Sequence, residues 1–458
     1  MLRRSTRPAL RREMGSSSIS RAVLPVPLAG QLLAQATYLC TLLTVVCSVF
    51  HDVVVLPGVS VFKVAGLLTF SFWLLWAAVE WGQPRRPWLV TRRNLMVGGS
   101  AVFTLCAIVM SALYALPSPL FLTSFLQMVL YFGLAVVVWS QLDSERSLTQ
   151  ACTCLAIAGT IAAALVIAQH LSPDTIGRVL GQHLSVEYYG IRATGPFRDP
   201  NYGSLSLIMV ASLTAYSALA ASRPAARAFL ACCVAAQLAA VLLTFSRTGF
   251  LTLGVVTLVF LWRERDRLRR PTVLVTAAGI VLIAWFAMGG HVQDLVGERL
   301  GSLKEAVEIV RQGPSSVSVS DLSIANRYQA LVGGWRMVMR RFPLGMGWEN
   351  FQYTLSDYAD SGVPNMGAHN MYMAVIAELG LPGLLASLAF LCLLYRNASL
   401  ATRPLGMRSR ELAEGVRTAL TSGLVGSLFL GVTTEPVFWV LVGLILAETE
   451  IASGQRQP

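Results

Sequence analysis

Long apolar runs separated by short polar stretches dominate the chain, and run length, more than any two-residue or 3.6-residue alternation, sets the expected architecture. About a dozen runs reach the length needed to cross a bilayer. In order they predict spans near 29–50, 61–81, 95–115, 118–140, 149–170, 201–221, 228–245, 248–263, 272–290, 370–395, 416–432 and 436–452. The span at 248–263 is short, and a dip around Arg247 stays an alternative to a square crossing. Two interruptions are longer than a turn: a medium loop at 171–200 and a long loop at 291–369. In the long loop, Asp294 to Gln312 carries Leu295, Leu300, Leu303, Val307 and Val310 among charges and predicts an amphipathic helix lying on the membrane. Gly313-Pro314-Ser315-Ser316 ends it. A second amphipathic helix is expected near 323–341, with Leu331, Trp335, Val338 and Met339 on one face, followed by a glycine-rich turn from Phe342 to Phe351. The expected fold is therefore all-α: a polytopic membrane protein of about 12 transmembrane helices with one long external loop containing amphipathic helices. A basic tail covers 1–28, the multi-span domain 29–452 and a short tail 453–458, without an internal repeat or a separate soluble domain.

Composition agrees with the runs. Hydrophobic residues are 55% of the chain and charged residues 13%, about half the charge of a soluble domain; mean hydropathy is +0.60. Basic residues fix the expected orientation. Arg3, Arg4, Arg7, Arg11, Arg12 and Arg21 in the first tail share a side with Arg85, Arg86, Arg92 and Arg93, with Arg223 and Arg227, with the arginines of 263–270, and with those of 396–417. The opposite short loops, 51–60 and 432–435, have none, so the positive-inside rule puts both termini in the cytoplasm and both longer loops outside. The net charge of +12 is mostly this cytoplasmic excess facing anionic lipid, and it needs no nucleic-acid partner. The first tail is too long and polar to read as a cleaved signal peptide. All eight cysteines fall inside expected spans, which implies neither a disulfide framework nor a zinc site. All five histidines, His51, His170, His183, His291 and His369, map to the external face or its membrane boundary.

The most informative segment runs from Pro364 through His369, Asn370 and Tyr372 into Glu378-Leu379-Gly380-Leu381-Pro382-Gly383. It sets an imidazole ahead of a helix that enters the membrane, beside the positive end of the helix dipole, where the neutral form is favoured. A neutral histidine there is a candidate general base, although a histidine in that place also serves as a simple cap. Arg247, between two apolar spans, is costly so near hydrocarbon unless it meets an anion or a polar cavity. Its plainer reading is an interface anchor, and flanking Ser246 and Gly249 favour a pocket. Arg327 alone reads as a solvated helix face. Asp199 and Asn201 around Pro200 read as a helix-initiating turn, with Arg198 the extra ingredient.

Together and in order, these pieces resemble the bacterial O-antigen ligase and O-antigen polymerase superfamily over roughly residues 150–400. The elements are Gly195-Pro196-Phe197-Arg198-Asp199-Pro200-Asn201, then Ser246-Arg247-Thr248, then Arg327 with Trp335, then Pro343 through Phe351, and last His369, Asn370, Tyr372, Glu378, Gly380 and Gly383. The chain has Arg198-Asp199 where the family often has small or amide residues. The resemblance implies an integral glycosyltransferase of a bacterial inner membrane, acting on its external face. It would move a glycan from an undecaprenyl-diphosphate carrier to a hydroxyl on a glycan or lipid-linked acceptor. Arg247 and Arg327, with Arg198 as a third, would clamp the diphosphate, and His369 would be the base. Asp199, Asn201, Asn370, Tyr372 and Glu378 would support them. No cofactor and no metal are implied, since the external acids Asp321, Asp357 and Asp360 lack the spacing of a metal motif. Ligase, repeat-unit polymerase and protein O-glycosylation remain open as versions of the activity. A polytopic solute transporter is the alternative of another class, disfavoured because the two halves differ and the unusual residues cluster outside the midplane.

Overall fold

A computed structural model describes residues 28–56, 58–81, 91–115, 118–173, 192–265, 322–360, 363, 365–401 and 407–454, with Gly297 and Gly301. The basic tail, the expected span at 272–290, the helix expected at 294–312, most of the 171–200 loop, His183 and His291 lie outside the described residues. The rest is mostly helical: α1 (Leu28–Cys47), α2 (Val61–Trp81), α3 (Arg92–Tyr114), α4 (Phe121–Gln141), α5 (Glu145–Leu171), α6 (Pro200–Ala220), α7 (Pro224–Leu243), α8 (Arg247–Arg263), α9 (Leu322–Arg341), a single turn α10 (Phe351–Thr354), α11 (Met371–Ala401), α12 (Met407–Gly426) and α13 (Pro436–Ala452). One short antiparallel pair, β1 (Val54–Leu56) with β2 (Val59–Ser60), departs from the all-α expectation. Among the described residues eight helices, α1 to α7 and α11, are long and apolar enough to cross a membrane. α8 and α13 have 17 residues each, and α12 begins among charges.

The helices are not equally central. Around α6 almost every side chain is buried, from Leu205 through Tyr216, and α13 is buried from Pro436 to Glu450. By contrast α2 and α3 leave many leucines, valines and phenylalanines exposed, as helices bathed in lipid do. Contact within the bundle uses small residues. A Cβ on Gly426 of α12 would lie 2.4 Å from Leu205, and one on Gly443 of α13 would lie 2.7 Å from Val138. Close backbone approach of this kind is how helices pack where hydrocarbon offers no hydrophobic drive between them. Side-chain hydrogen bonds add to it, among them Ser212 with Ser422 at 3.1 Å and Gln237 donating to the Ala156 carbonyl at 3.2 Å.

α11 takes up the span expected at 370–395, and it breaks at Gly380, where φ is 64° and ψ −160°. Two residues on, Pro382 has no N–H to give the Glu378 carbonyl, and Leu381 turns its own N–H to the Pro343 carbonyl at 2.8 Å. The freed carbonyls of Ala377 and Glu378 accept instead from Met346 and Gly347, each at 2.8 Å. The turn after α9 thus refills the hydrogen bonds that the break opens, the condition for irregular backbone at this depth. The Glu378 carboxylate completes the joint by accepting the Phe351 N–H at 3.0 Å.

Candidate functional site

The loops 48–53, 192–199, 244–246, 342–350, 365–370 and 427–435 gather at one end of the bundle, called the site end below. Asp199 opens α6 as its N-cap, accepting from the N–H groups of Asn201 and Tyr202, with Pro200 in the first helical turn. That arrangement is worth about 1 kcal/mol to the helix. Asn201 faces sideways and joins α6 to the turn before α8: its Oδ1 accepts from Ser246 Oγ and from Arg192 Nη2, both at 2.9 Å. Arg192 Nε donates to the Thr244 carbonyl at 3.0 Å, and Ser246 caps α8 through the Gly249 N–H at 3.0 Å. The result fixes half-buried Arg247 as the first residue of α8.

His369 comes from the other side. Asn370 caps α11 by accepting the Met373 N–H at 2.9 Å and donates to the Leu428 carbonyl at 3.0 Å. The Met371 N–H reaches the Ser427 carbonyl at 2.9 Å, and Tyr372 Oη donates to the Leu424 carbonyl at 3.3 Å. Asn370 and Tyr372 therefore hold the start of α11 against the end of α12, and His369 is presented from that frame. Among the described residues, the non-glycine positions with positive φ are Phe245 (46°), Glu349 (62°) and His369 (47°), all at the site end. Such backbone costs about 1–2 kcal/mol each, and structures keep it mostly where geometry matters to function.

The two sides meet through Arg327, near the start of α9, whose Nη1 donates to Thr248 Oγ1 at 3.3 Å, one residue past Arg247. Its charge also acts on His369. Burial first, and Arg327 second, push the imidazole down to about 4, while the Asp199 carboxylate pulls the other way. His369 is thus a neutral imidazole at pH 7, acted on in opposite senses by a guanidinium and a carboxylate. Its dominant cause is burial, where the sequence pointed to the helix dipole. Of the residues singled out from sequence, the structure brings together His369, Arg327, Arg247, Asp199 and Asn201. Glu378 sits inside the α11 joint, away from this meeting point. Arg198 is exposed and shows no pairing with Asp199; its backbone N–H donates to Asp52 Oδ2 at 2.9 Å.

A second group flanks the first, and sequence reasoning passed over most of it. Glu435, 3% exposed, accepts from Ser206 Oγ at 2.8 Å and lies 3.7 Å from His51 Nε2, which is 3.3 Å from Asp52. Burial lifts the Glu435 carboxyl to about 7, with His51 opposing and the Asp52 and Asp199 charges adding. Arg192 was missed as well. The available signals were a carboxylate next to Pro436 at the head of an apolar run, and an arginine three residues before Gly195. Among the described residues no three His, Cys, Asp or Glu side chains are grouped as a bound cation would require.

No curated protein matches the chain. Residues 231–388 match the model of the O-antigen ligase family, a stretch that contains Arg247, Arg327 and His369 but not Asp199. The match spans 158 of the 458 residues, about a third of the chain, and supports a place in the O-antigen ligase superfamily of membrane glycosyltransferases of the ligase or polymerase type.

Proposed function

We propose that the chain transfers a glycan from undecaprenyl diphosphate to an acceptor hydroxyl, in the manner of an O-antigen ligase, on the external face of a bacterial inner membrane. The observation that carries this reading is the neutral His369 held beside Arg327 and the Arg247-Thr248 turn. A permanently charged arginine pair suits a diphosphate, whose charge grows as it leaves. A neutral imidazole beside it suits an acceptor hydroxyl. In the step, the acceptor proton goes to His369 and the acceptor oxygen bonds to the anomeric carbon. The bond from that carbon to the diphosphate oxygen breaks, and its electrons leave with the lipid diphosphate. The arginines do the work of charge compensation, so the reading requires no metal. In the expected topology of 12 spans the site end is external.

The test is glycan length and carrier attachment in a deletion strain complemented by wild type, Arg327→Ala, Arg247→Ala or their lysine versions. Loss of a ligase strands finished polymer on its carrier, and the alanine variants should leave it stranded. Single repeat units in place of polymer would assign the polymerase version. Lysine should rescue poorly, because a point charge does not reproduce the bidentate fork. Unchanged glycan in the deletion strain would remove the reading altogether.

A further inference from the structure

α9 has two apolar faces, and among the described residues only one of them is covered by protein. Ala330, Met337 and Val338 are buried, and Gly333 and Gly334 lie so close to Leu355 and Met373 that a Cβ would fall 2.6 and 2.9 Å from them. That side holds α9 against α10 and α11. On the other side Leu331, Trp335 and Met339 recur every four residues and are 40%, 56% and 65% exposed. Phe342 extends the stripe at 63% exposed. A third, polar sector carries Arg336, paired with Asp360 at 3.1 Å. A helix with one apolar side on its own protein, another left open and a charged edge between them is built to lie between a protein and a lipid surface.

What covers the open side follows from its neighbour. The Leu344 carbonyl, just past the stripe, accepts from Tyr114 Oη at 2.6 Å. Tyr114 ends α3, a membrane-crossing helix whose Phe103, Met110 and Leu113 are exposed along its length. The stripe on α9 therefore continues the lipid-facing side of α3 at the site end. A tryptophan in the middle of it, and exposed Arg341 in its last turn, suit the boundary between acyl chains and headgroups.

We propose that α9 lies in the interfacial layer of the leaflet at the site end, with Leu331, Trp335, Met339 and Phe342 among the acyl chains of glycerophospholipids. Arg327 precedes Leu331 by one turn, at the border between the open and the buried faces. The seat therefore sets the height of that guanidinium at the level of lipid phosphates. If the glycosyl-transfer reading above holds, the same seat puts Arg327 level with a carrier diphosphate.

The test needs no turnover, so its failure is separable from failure of the transfer reading. In a chain with its eight cysteines replaced, single cysteines at Leu331, Trp335, Met339 and Arg336 would carry spin labels in nanodiscs of phosphatidylcholine and phosphatidylglycerol. Each variant is first checked for a single monodisperse peak. Labels at Leu331, Trp335 and Met339 should be relaxed more by oxygen than by a water-soluble nickel chelate, and the Arg336 label the reverse. Nickel dominating at every position would put the stripe in water and overturn the proposal. Dipolar broadening that grows with the number of copies per disc would overturn it too, by assigning the stripe to a second copy of the chain.

Discussion

His369 feels two opposed neighbours, and they can be separated. Because burial and Arg327 push it down to about 4, the imidazole stays neutral, the form the proposed base needs, well below pH 6.5. Transfer per unit of substrate should stay level between pH 5 and 8 and fall only towards pH 4, measured as kcat/KM in nanodiscs. An acid limb near 6.5 would show an unburied histidine. His369→Gln keeps a hydrogen bond and loses the base, and should cost about 10²–10⁴ in rate while leaving carrier binding intact. Wild-type turnover in that variant would reduce His369 to a cap. Glu435 offers a stability test of opposite sign. Its folded pKa of about 7 lies above the unfolded carboxyl value, so the folded state holds the proton more tightly. That contribution is complete below about pH 4.5 and disappears as pH rises through 7. The gap in Tm between wild type and Glu435→Gln should therefore change between pH 5 and 8, and a constant gap would refute the linkage.

At the scale of elements, the break in α11 joins the membrane bundle to the cap above it. A Cβ at Gly380 would lie 2.0 Å from the Pro343 carbonyl oxygen, and the residue needs a φ of 64°. Gly380→Ala should lose about 2–4 kcal/mol and transfer activity together, because the Pro343–Phe351 turn is displaced with it. Gly254→Ala on α8, where nothing lies within 4 Å, is the control and should leave Tm unchanged. Equal Tm values for the two variants would mean that the turn adapts. The same joint explains Glu378, which reads from sequence as a member of the site and acts in the structure as an acceptor for the Phe351 N–H, 27 residues away. Asn201 belongs here also, as the residue that ties the start of α6 to the turn carrying Arg247.

Across the whole molecule the test is one of sides. Both termini and the 396–417 region should be cytoplasmic and the site end external. With native cysteines replaced, a cysteine at exposed Tyr353 should react with an impermeant maleimide from outside, and one at exposed Arg410 only after permeabilisation. The reverse pattern would invert the topology and move the chemistry to the cytoplasm. The direction rests on where the arginines stand, a property of sequence that packing does not alter.

Run length and charge determined that this chain is a helical membrane protein, and the expected helices at 61–81 and 323–341 match α2 and α9 to within a residue at each end. Local chemistry determined the helix start at Asp199, and the span expected from residue 370 put His369 ahead of a helix; that Asn370 caps it emerged only in the structure. Tertiary structure decided which apolar helices are core and which meet lipid. α2 and α6 are both continuous apolar runs, yet one is largely exposed and the other buried nearly all round. Hydropathy does not separate them, since lipid tails are as apolar as a protein interior. It also decided the Glu435–His51–Asp52 group and the Asp52 bond to the Arg198 N–H, which spans 146 positions. A periodic pattern carries information over one or two turns. Contacts at that separation exist only once the helices have packed, and the charges around His369 are set by them.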